Sequence, residues 1–341
     1  MEILARSIGV VALIFGLPPT LVLLLSSQTT RGLLLGVAGM LLAVALLVAM
    51  YHRPKRAWPF GAVALALFVG LMVTVPANGS LRTVESGPID GGFFQIIPEI
   101  DQVEVGIALA SVFDPYVDFD QARRLRGITR PIYDEMDGPP RSALVYGYRD
   151  VIGAAEDGHR YWSRARHDGG KAPVLIFLHG AGGNFASYAH VLSAIDAVVV
   201  CPTVGFGGYF DDVRTQRVVD DARRFAVESL DGDPDRVFVA ALSQGGAGAT
   251  GLDREGLRGV VLISAVIDGD RVRGWSGPPV LVMHGGADRR IPVEHVREAV
   301  DVLRTGTATV TTRYFADEDH FLMFSQREAV VDAIAAFIGA R

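Results

Sequence analysis

Val237-Phe238-Val239-Ala240-Ala241-Leu242-Ser243-Gln244-Gly245-Gly246 is the stretch on which the fold is decided. Six apolar residues run unbroken into a serine, and two glycines follow it. An uncharged run of this length bounded by glycine reads as a buried strand. A helix is read after the glycines. A sharp strand–turn–helix lifts a serine hydroxyl above a sheet and aims its own N–H, and the next one, toward one point. Glycine is needed beside such a turn because the two backbones approach closely there. The small position before the serine is Ala241 and not glycine, so the pattern is Ala-x-Ser-x-Gly. A bare Ser-x-Gly is common by chance; the strand before it and the helix after it give this one its meaning.

Outward from this turn the same alternation repeats. Val174–Leu178, Ala197–Cys201, Val260–Ile263, Val280–Met283 and Thr309–Tyr314 read as further strands. Amphipathic stretches at Asp212–Leu230, Val293–Leu303 and Ser325–Ile338 lie between or after them. Continuous apolar strands alternating with helices predict an α/β fold: a mostly parallel central sheet with helices on both faces. Chemistry in such sheets gathers at the carboxyl ends of the strands.

Three more segments sit at those ends. Leu175-Ile176-Phe177-Leu178-His179-Gly180-Ala181-Gly182-Gly183-Asn184 is a strand followed by a glycine-rich loop. Such a loop can present backbone N–H groups to a developing oxyanion, here those of Ala181 and Gln244, each worth a few kcal/mol in a transition state. A phosphate-cradling loop would need a following Gly-Lys-Ser/Thr, which is missing. Val280-Leu281-Val282-Met283-His284-Gly285-Gly286-Ala287-Asp288, then Ile291-Pro292, places a carboxylate past a later strand. Asp268 and Asp270, past the preceding strand, are rivals for that role. Asp317-Glu318-Asp319-His320-Phe321 follows the last strand. Of the eight histidines, His52 falls between apolar runs, His159 and His167 precede the sheet, and His190 and His295 fall on helices. His179 and His284 stand in His-Gly turns, where a ring more often braces a loop. Only His320 has a position from which to meet Ser243 and Asp288 together.

In this order (glycine-rich loop, Ser, Asp, His) residues 143–341 resemble the α/β-hydrolase superfamily. Ala-Leu-Ser-Gln-Gly-Gly is similar to the nucleophile turn of its carboxylesterase/thioesterase and dienelactone-hydrolase branches, and His-Gly-Gly-Ala-Asp with Ile-Pro to their acid loop. The resemblance implies a serine hydrolase with Ser243 as nucleophile, His320 as base, Asp288 orienting the base, and Ala181 and Gln244 as oxyanion donors. It implies cleavage of carboxylic esters through an acyl-enzyme, without cofactor; the histidines show no metal-ligand spacing. A thioesterase, peptidase or acyltransferase would use the same residues, and a binding protein on an inactive hydrolase scaffold is the reading outside enzymes.

The first 76 residues are different material. Ile8–Leu25, Gly32–Met50 and Phe60–Val75 carry no charge, and mean hydropathy over the chain is +0.30. About 20 apolar residues cross a hydrocarbon core of about 30 Å. Three transmembrane helices are therefore expected, with Trp58 and Phe60 extending the shortest at an interface. A cleaved signal peptide would suit Arg6 and the first run, but no small-x-small site follows it. Gly32, Gly36 and Gly39 form a small-residue face on the second run, suited to close packing. The connection Tyr51-His52-Arg53-Pro54-Lys55-Arg56-Ala57 holds three firm positive charges, against Arg31 alone in the previous one. The positive-inside rule then puts Met1 and the 51–57 connection in the cytoplasm and the rest of the chain outside.

Residues 1–76 carry five basic residues and one acidic, leaving −10 of the net −6 to the remainder. That argues against nucleic acid as a partner. One cysteine, Cys201, excludes a disulfide framework. The expected partners are the bilayer and an ester, a lipid or cell-envelope ester among the candidates. Residues 77–142 read least clearly. Asn78-Gly79-Ser80 and Ser86-Gly87-Pro88 look like linker, Val103–Phe113 and Phe119–Met136 have roughly helical spacing, and Asp137-Gly138-Pro139-Pro140 ends the segment with turn chemistry. A linker with a membrane-proximal or cap segment is expected there. Gly205-Phe206-Gly207-Gly208-Tyr209-Phe210 is a candidate lining for an acyl pocket.

Overall fold

The computed structural model describes residues 2–51, 57–73, 84–86, 97–136, 160–165, 170–205 and 208–340. Outside them lie the basic stretch from His52 to Arg56, residues 78–80, 87–88 and 137–140 expected as linker or turn, His159, His167, and Phe206-Gly207. The chain divides into two compact units. One comprises Met1–Gly79, Gly91–Arg130 and Gly138–Ser142; the other comprises Ser80–Asp90, Pro131–Asp137 and Ala143–Arg341.

The first unit is helical: α1 (Glu2–Ser26), α2 (Thr30–Tyr51), α3 (Trp58–Val73), α4 (Glu99–Phe113) and the larger part of α5 (Phe119–Glu135). Two of these, at Gly9–Ser26 and Thr30–Tyr51, are long and apolar enough to cross a membrane. By the same test a helix near the N-terminus suits a signal sequence. The expected third span, α3, has 16 residues. At 1.5 Å per residue that is about 24 Å, short of the hydrocarbon thickness. The glycine face of α2 sets how closely the helices pack. A methyl group on Gly36 would lie 2.6 Å from the Leu24 amide nitrogen, and one on Gly39 would lie 2.7 Å from Thr20 Oγ1. Backbone therefore meets backbone between α1 and α2, which only glycine permits.

The second unit holds an eight-stranded sheet: β1 (Glu85–Ser86), β2 (Arg160–Ser163), β3 (Ala172–Leu178), β4 (Val198–Pro202), β5 (Gly232–Leu242), β6 (Leu257–Ile263), β7 (Val280–Gly285) and β8 (Val310–Phe315). The spatial order is β1-β2-β4-β3-β5-β6-β7-β8. β3 through β8 run parallel to one another, and β1 and β2 pair antiparallel at one edge. The helices are α6 (Ala186–Leu192), α7 (Asp212–Ser229), α8 (Gly245–Gly251), α9 (Gly269–Val272), α10 (Val293–Leu303), α11 (Leu322–Ser325) and α12 (Arg327–Gly339).

Alternation along the strands sends successive side chains to opposite faces. Val174, Ile176, Val237 and Val239 join one core with Val218, Val219 and Ala222 of α7 and Val296 and Val300 of α10. The intervening residues face the other layer: Phe177 meets Tyr188 of α6 with ring centroids 5.1 Å apart, and Phe238 meets Phe337 of α12 at 6.3 Å. The sheet is thus covered on both sides, as its apolar strands require. Because six strands are parallel, the ends of β3, β5, β7 and β8 fall on one rim, each followed by a segment singled out in the sequence. The α/β architecture expected for this part of the chain, a mostly parallel sheet with helices on both faces, is present.

Candidate active site

The turn after β5 is held in a conformation that a serine adopts at a cost. Ser243 has φ of 51°, in the left-handed region that costs a non-glycine residue roughly 1–2 kcal/mol. Its backbone explains why the turn persists. Its N–H donates to the Ile263 carbonyl at 3.1 Å, and its own carbonyl accepts from Gly246 at 3.0 Å and Val266 at 2.8 Å. Glycine follows for a steric reason. A methyl group at Gly245 would be 2.8 Å from the His179 carbonyl oxygen, and one at Gly246 would be 2.6 Å from both Ala265 Cβ and the Val266 oxygen. The alanine at 241 is accommodated: its methyl group is buried in the core between β3 and β6.

The other predicted side chains converge on this serine. His320 is buried, with Nε2 2.9 Å from Ser243 Oγ and Nδ1 2.8 Å from Asp288 Oδ2. Asp288 comes from the turn after β7, and its second oxygen accepts the Arg290 and Ile291 amides at 2.8 and 2.9 Å. Burial alone would raise the Asp288 pKa. The hydrogen bond and charge of His320 and the Ile291 amide outweigh burial and hold it below the usual carboxylate value. An ionised Asp288 fixes the His320 proton on Nδ1, which leaves Nε2 as acceptor toward the serine hydroxyl. The rival acids are occupied elsewhere. Asp268 accepts the Asp270 amide at the start of α9 and approaches Arg271, while Asp270 pairs with Arg273 at the surface.

The glycine-rich loop after β3 lies against the serine. A methyl group at Gly180 would be 3.1 Å from Ser243 Cβ and 3.7 Å from Oγ, so Ala181 follows the residue in contact with it. Gln244, the other expected donor, stands at the N-terminus of α8. His179 ties the loop down. Its Nε2 accepts the Val204 amide at 3.1 Å, leaving the proton on Nδ1 to be donated to the Gly180 carbonyl at 2.8 Å. Burial pushes its pKa down to about 4, so the ring is neutral. The buried Asn184 amide donates to the Cys201 carbonyl at 2.7 Å and approaches Thr203 Oγ1 at 3.3 Å. The signal for Asn184 in the sequence is its place directly after Gly182-Gly183; its burial and its bond to the neighbouring strand come from the fold.

Two further buried groups border the site. His284 places Nε2 2.9 Å from the Ile291 carbonyl and 3.5 Å from Asp288 Oδ2, and its Nδ1 has no partner. Ser264, at the end of β6, has φ of 41°, and its buried hydroxyl likewise has no partner. Nothing in the sequence marks Ser264. His190 and His295 stay on helices away from this row, His190 beside Glu135. Of the aromatic loop, Gly208–Phe210 forms one 3₁₀ turn; the Tyr209 ring lies edge-on to His179, and Phe210 is exposed. No group of metal-ligating side chains occurs among the described residues.

No curated protein sequence matches this chain. The model of the prolyl oligopeptidase family matches residues 254–340, a stretch containing Asp288 and His320 but not Ser243. Among solved structures, an esterase of the Planctomycetes species Thermogutta terrifontis is 16% identical, with 55% of this chain and 91% of that one covered and a TM-score of 0.44. An acylaminoacyl peptidase of Pyrococcus horikoshii is 14% identical over 53% of this chain, with a TM-score of 0.44. The chain spans 39% of the length of that peptidase. In sequence, the likeness to the prolyl oligopeptidase family covers residues 254–340.

Proposed function

We propose that the protein is a membrane-anchored serine hydrolase that cleaves carboxylic esters through Ser243, His320 and Asp288. One observation carries the reading: a single imidazole bridges a hydroxyl at 2.9 Å and a buried carboxylate at 2.8 Å, on the rim where parallel strands end. Both distances suit proton transfer.

The reaction follows from the bonds. Ser243 Oγ attacks the ester carbonyl carbon while its proton passes to His320 Nε2; Asp288 keeps the ring oriented and stabilises the imidazolium. The carbonyl oxygen, now negative, is taken by the Ala181 and Gln244 amides. Proximity of Gly180 to Ser243 supports the first donor, and the unpaired N–H groups that open any helix support the second. Collapse expels the alkoxide, which takes the proton from His320. Water, deprotonated by the same nitrogen, then splits the acyl-enzyme and returns Ser243.

The anchor consists of α1, α2 and α3 as three spans, with Trp58 at the start of α3 seated in an interface, the 51–57 connection cytoplasmic and the hydrolase outside. An ester of a lipid or of the cell envelope is the substrate such tethering favours. A second reading, amide or peptide cleavage by the same residues, is favoured by the match to the prolyl oligopeptidase family. Hydrolysis of an aminoacyl anilide faster than of aryl esters would select it.

A fluorophosphonate probe tests the enzyme class. The unsubstituted chain is expected to take up one label, and Ser243→Ala none. Undiminished labelling of Ser243→Ala would end the proposal.

A further inference from the structure

α4 is built inside out for a helix in water. Its charged residues, Glu99, Asp101 and Glu104, are all buried. Its outward stripe is Gly106, Leu109, Val112 and Phe113, continued by Tyr116 in the turn and Phe119 at the start of α5. These positions recur at three- and four-residue spacing on one side, without a charge. Val112 is 67% exposed, Phe113 78% and Phe119 74%. A water-facing helix buries its apolar stripe and solvates its carboxylates; here both are reversed.

The carboxylates have specific reasons to point inward. Asp101 accepts the Gln28 amide at 2.6 Å and the Thr29 hydroxyl at 2.5 Å, where α2 begins. Thr29 in turn caps that helix through the Gly32 amide at 2.9 Å. A carboxylate at a helix N-terminus meets unpaired N–H groups and the positive end of the dipole. A methyl group at Gly32 would collide with Asp101, so the first glycine of the small-residue face serves α4. Glu104 accepts Arg126 at 2.8 Å and Arg130 at 2.9 Å, both from α5. One turn beyond Asp101, Val105 packs on the cluster of Leu23, Leu35 and Leu71 from the three apolar helices.

Ionisable groups turned inward with hydrocarbon turned outward is the arrangement of a helix whose surroundings are lipid. We infer that the Leu109–Phe119 face of the α4–α5 hairpin is a membrane-contacting surface, seated on acyl chains at the bilayer boundary and continuous with the apolar faces of α1 to α3. The exposed charges of Asp120 and Arg123 on α5 limit its depth. α4 enters the apolar layer while the charged side of α5 stays in water, as interfacial helices do. The membrane unit then extends past residue 76. The inference rests on the proposed membrane anchor, and its occupant is the bilayer, not another protein.

The test uses the full chain in phosphatidylcholine vesicles. Leu109→Cys, Val112→Cys and Phe113→Cys are labelled singly with an environment-sensitive fluorophore and quenched by doxyl-labelled lipid. Cys201 is buried, and the unsubstituted chain measures its background. Leu42→Cys on α2 reports the anchor, and Val213→Cys on the hydrolase reports water. Each variant must keep the thermal transition of the unsubstituted chain. The expected result is a loss of fluorescence at all three α4 positions comparable to that at residue 42, with none at 213. Quenching at 42 but not at all three α4 positions overturns this inference and leaves the anchor standing. Absence of quenching at 42 removes the anchor and the inference together.

Discussion

His284 donates its Nε2 proton to the carbonyl oxygen of Ile291 at 2.9 Å, and the amide of the same Ile291 donates to Asp288 at 2.9 Å. The acid is therefore held by a turn that a second, neutral histidine closes. Burial depresses the His284 pKa against the pull of the Ile291 carbonyl and Asp288, so the ring is uncharged beside the acid. His284→Phe removes the donor to the half-buried Ile291 carbonyl, a loss of about 1 kcal/mol. The expected signature is a fall in kcat of about tenfold or more with KM little changed, since the turn orients Asp288 and does not touch substrate. Steady-state kinetics on an aryl ester decide it; unchanged kcat would free His284 from any positioning role.

The left-handed backbone of Ser243 gives a prediction independent of chemistry. Both Ser243→Gly and Ser243→Ala remove the hydroxyl, but glycine tolerates φ of 51° and alanine does not. The glycine variant is expected to unfold about 1 kcal/mol later than the alanine variant, the order opposite to that in a strand interior. Denaturant titration of the two proteins measures it.

How much of this could be read from the amino-acid sequence depends on whether the information is local. The buried stretches of β3 to β7 were legible because strands covered on both faces must be apolar there, whereas β8 is a half-exposed edge strand read from its β-branched and aromatic residues. Val293–Leu303 is a helix with the limits that its periodicity implied. β1 and β2 escaped notice: two and four residues long, they exist through pairing such as Tyr161 with Cys201, which no local pattern encodes. The same holds at the rim. That Asp288 and not Asp268 or Asp270 meets His320 follows from β7 lying beside β8. The buried acids of α4 were the least legible. Their inward direction is imposed by the start of α2 and by two arginines more than twenty residues away.

Buried His179 makes stability depend on pH. Its folded pKa of about 4 lies below the ordinary 6.5 because burial disfavours the charged ring. Below pH 6.5 the unfolded chain takes up a proton that the folded chain refuses, so stability falls as pH drops from about 6.5 to 4 and is undisturbed above. The full effect is about 3 kcal/mol, and His284 acts in the same direction. His179→Gln should flatten the dependence in that window. Urea unfolding at several pH values checks this; an unchanged slope would contradict it.

The α1–α2 contact is a fourth target. Gly36→Val places side-chain carbon where the Leu24 backbone lies. Overpacking of this kind costs about 1–3 kcal/mol, and the melting transition of the full chain in detergent should fall accordingly, whereas Gly61→Val, with open space around it, should not move it.

The central claim is that Ser243 and His320 act as one unit, and a double-mutant cycle on aryl-ester hydrolysis tests it most directly. Groups that act together lose their contribution once. Ser243→Ala and His320→Ala should each lower kcat by about 10⁴-fold or more, and the double variant should be no worse than either. Full activity in Ser243→Ala, or losses in the double variant that multiply, would contradict the account.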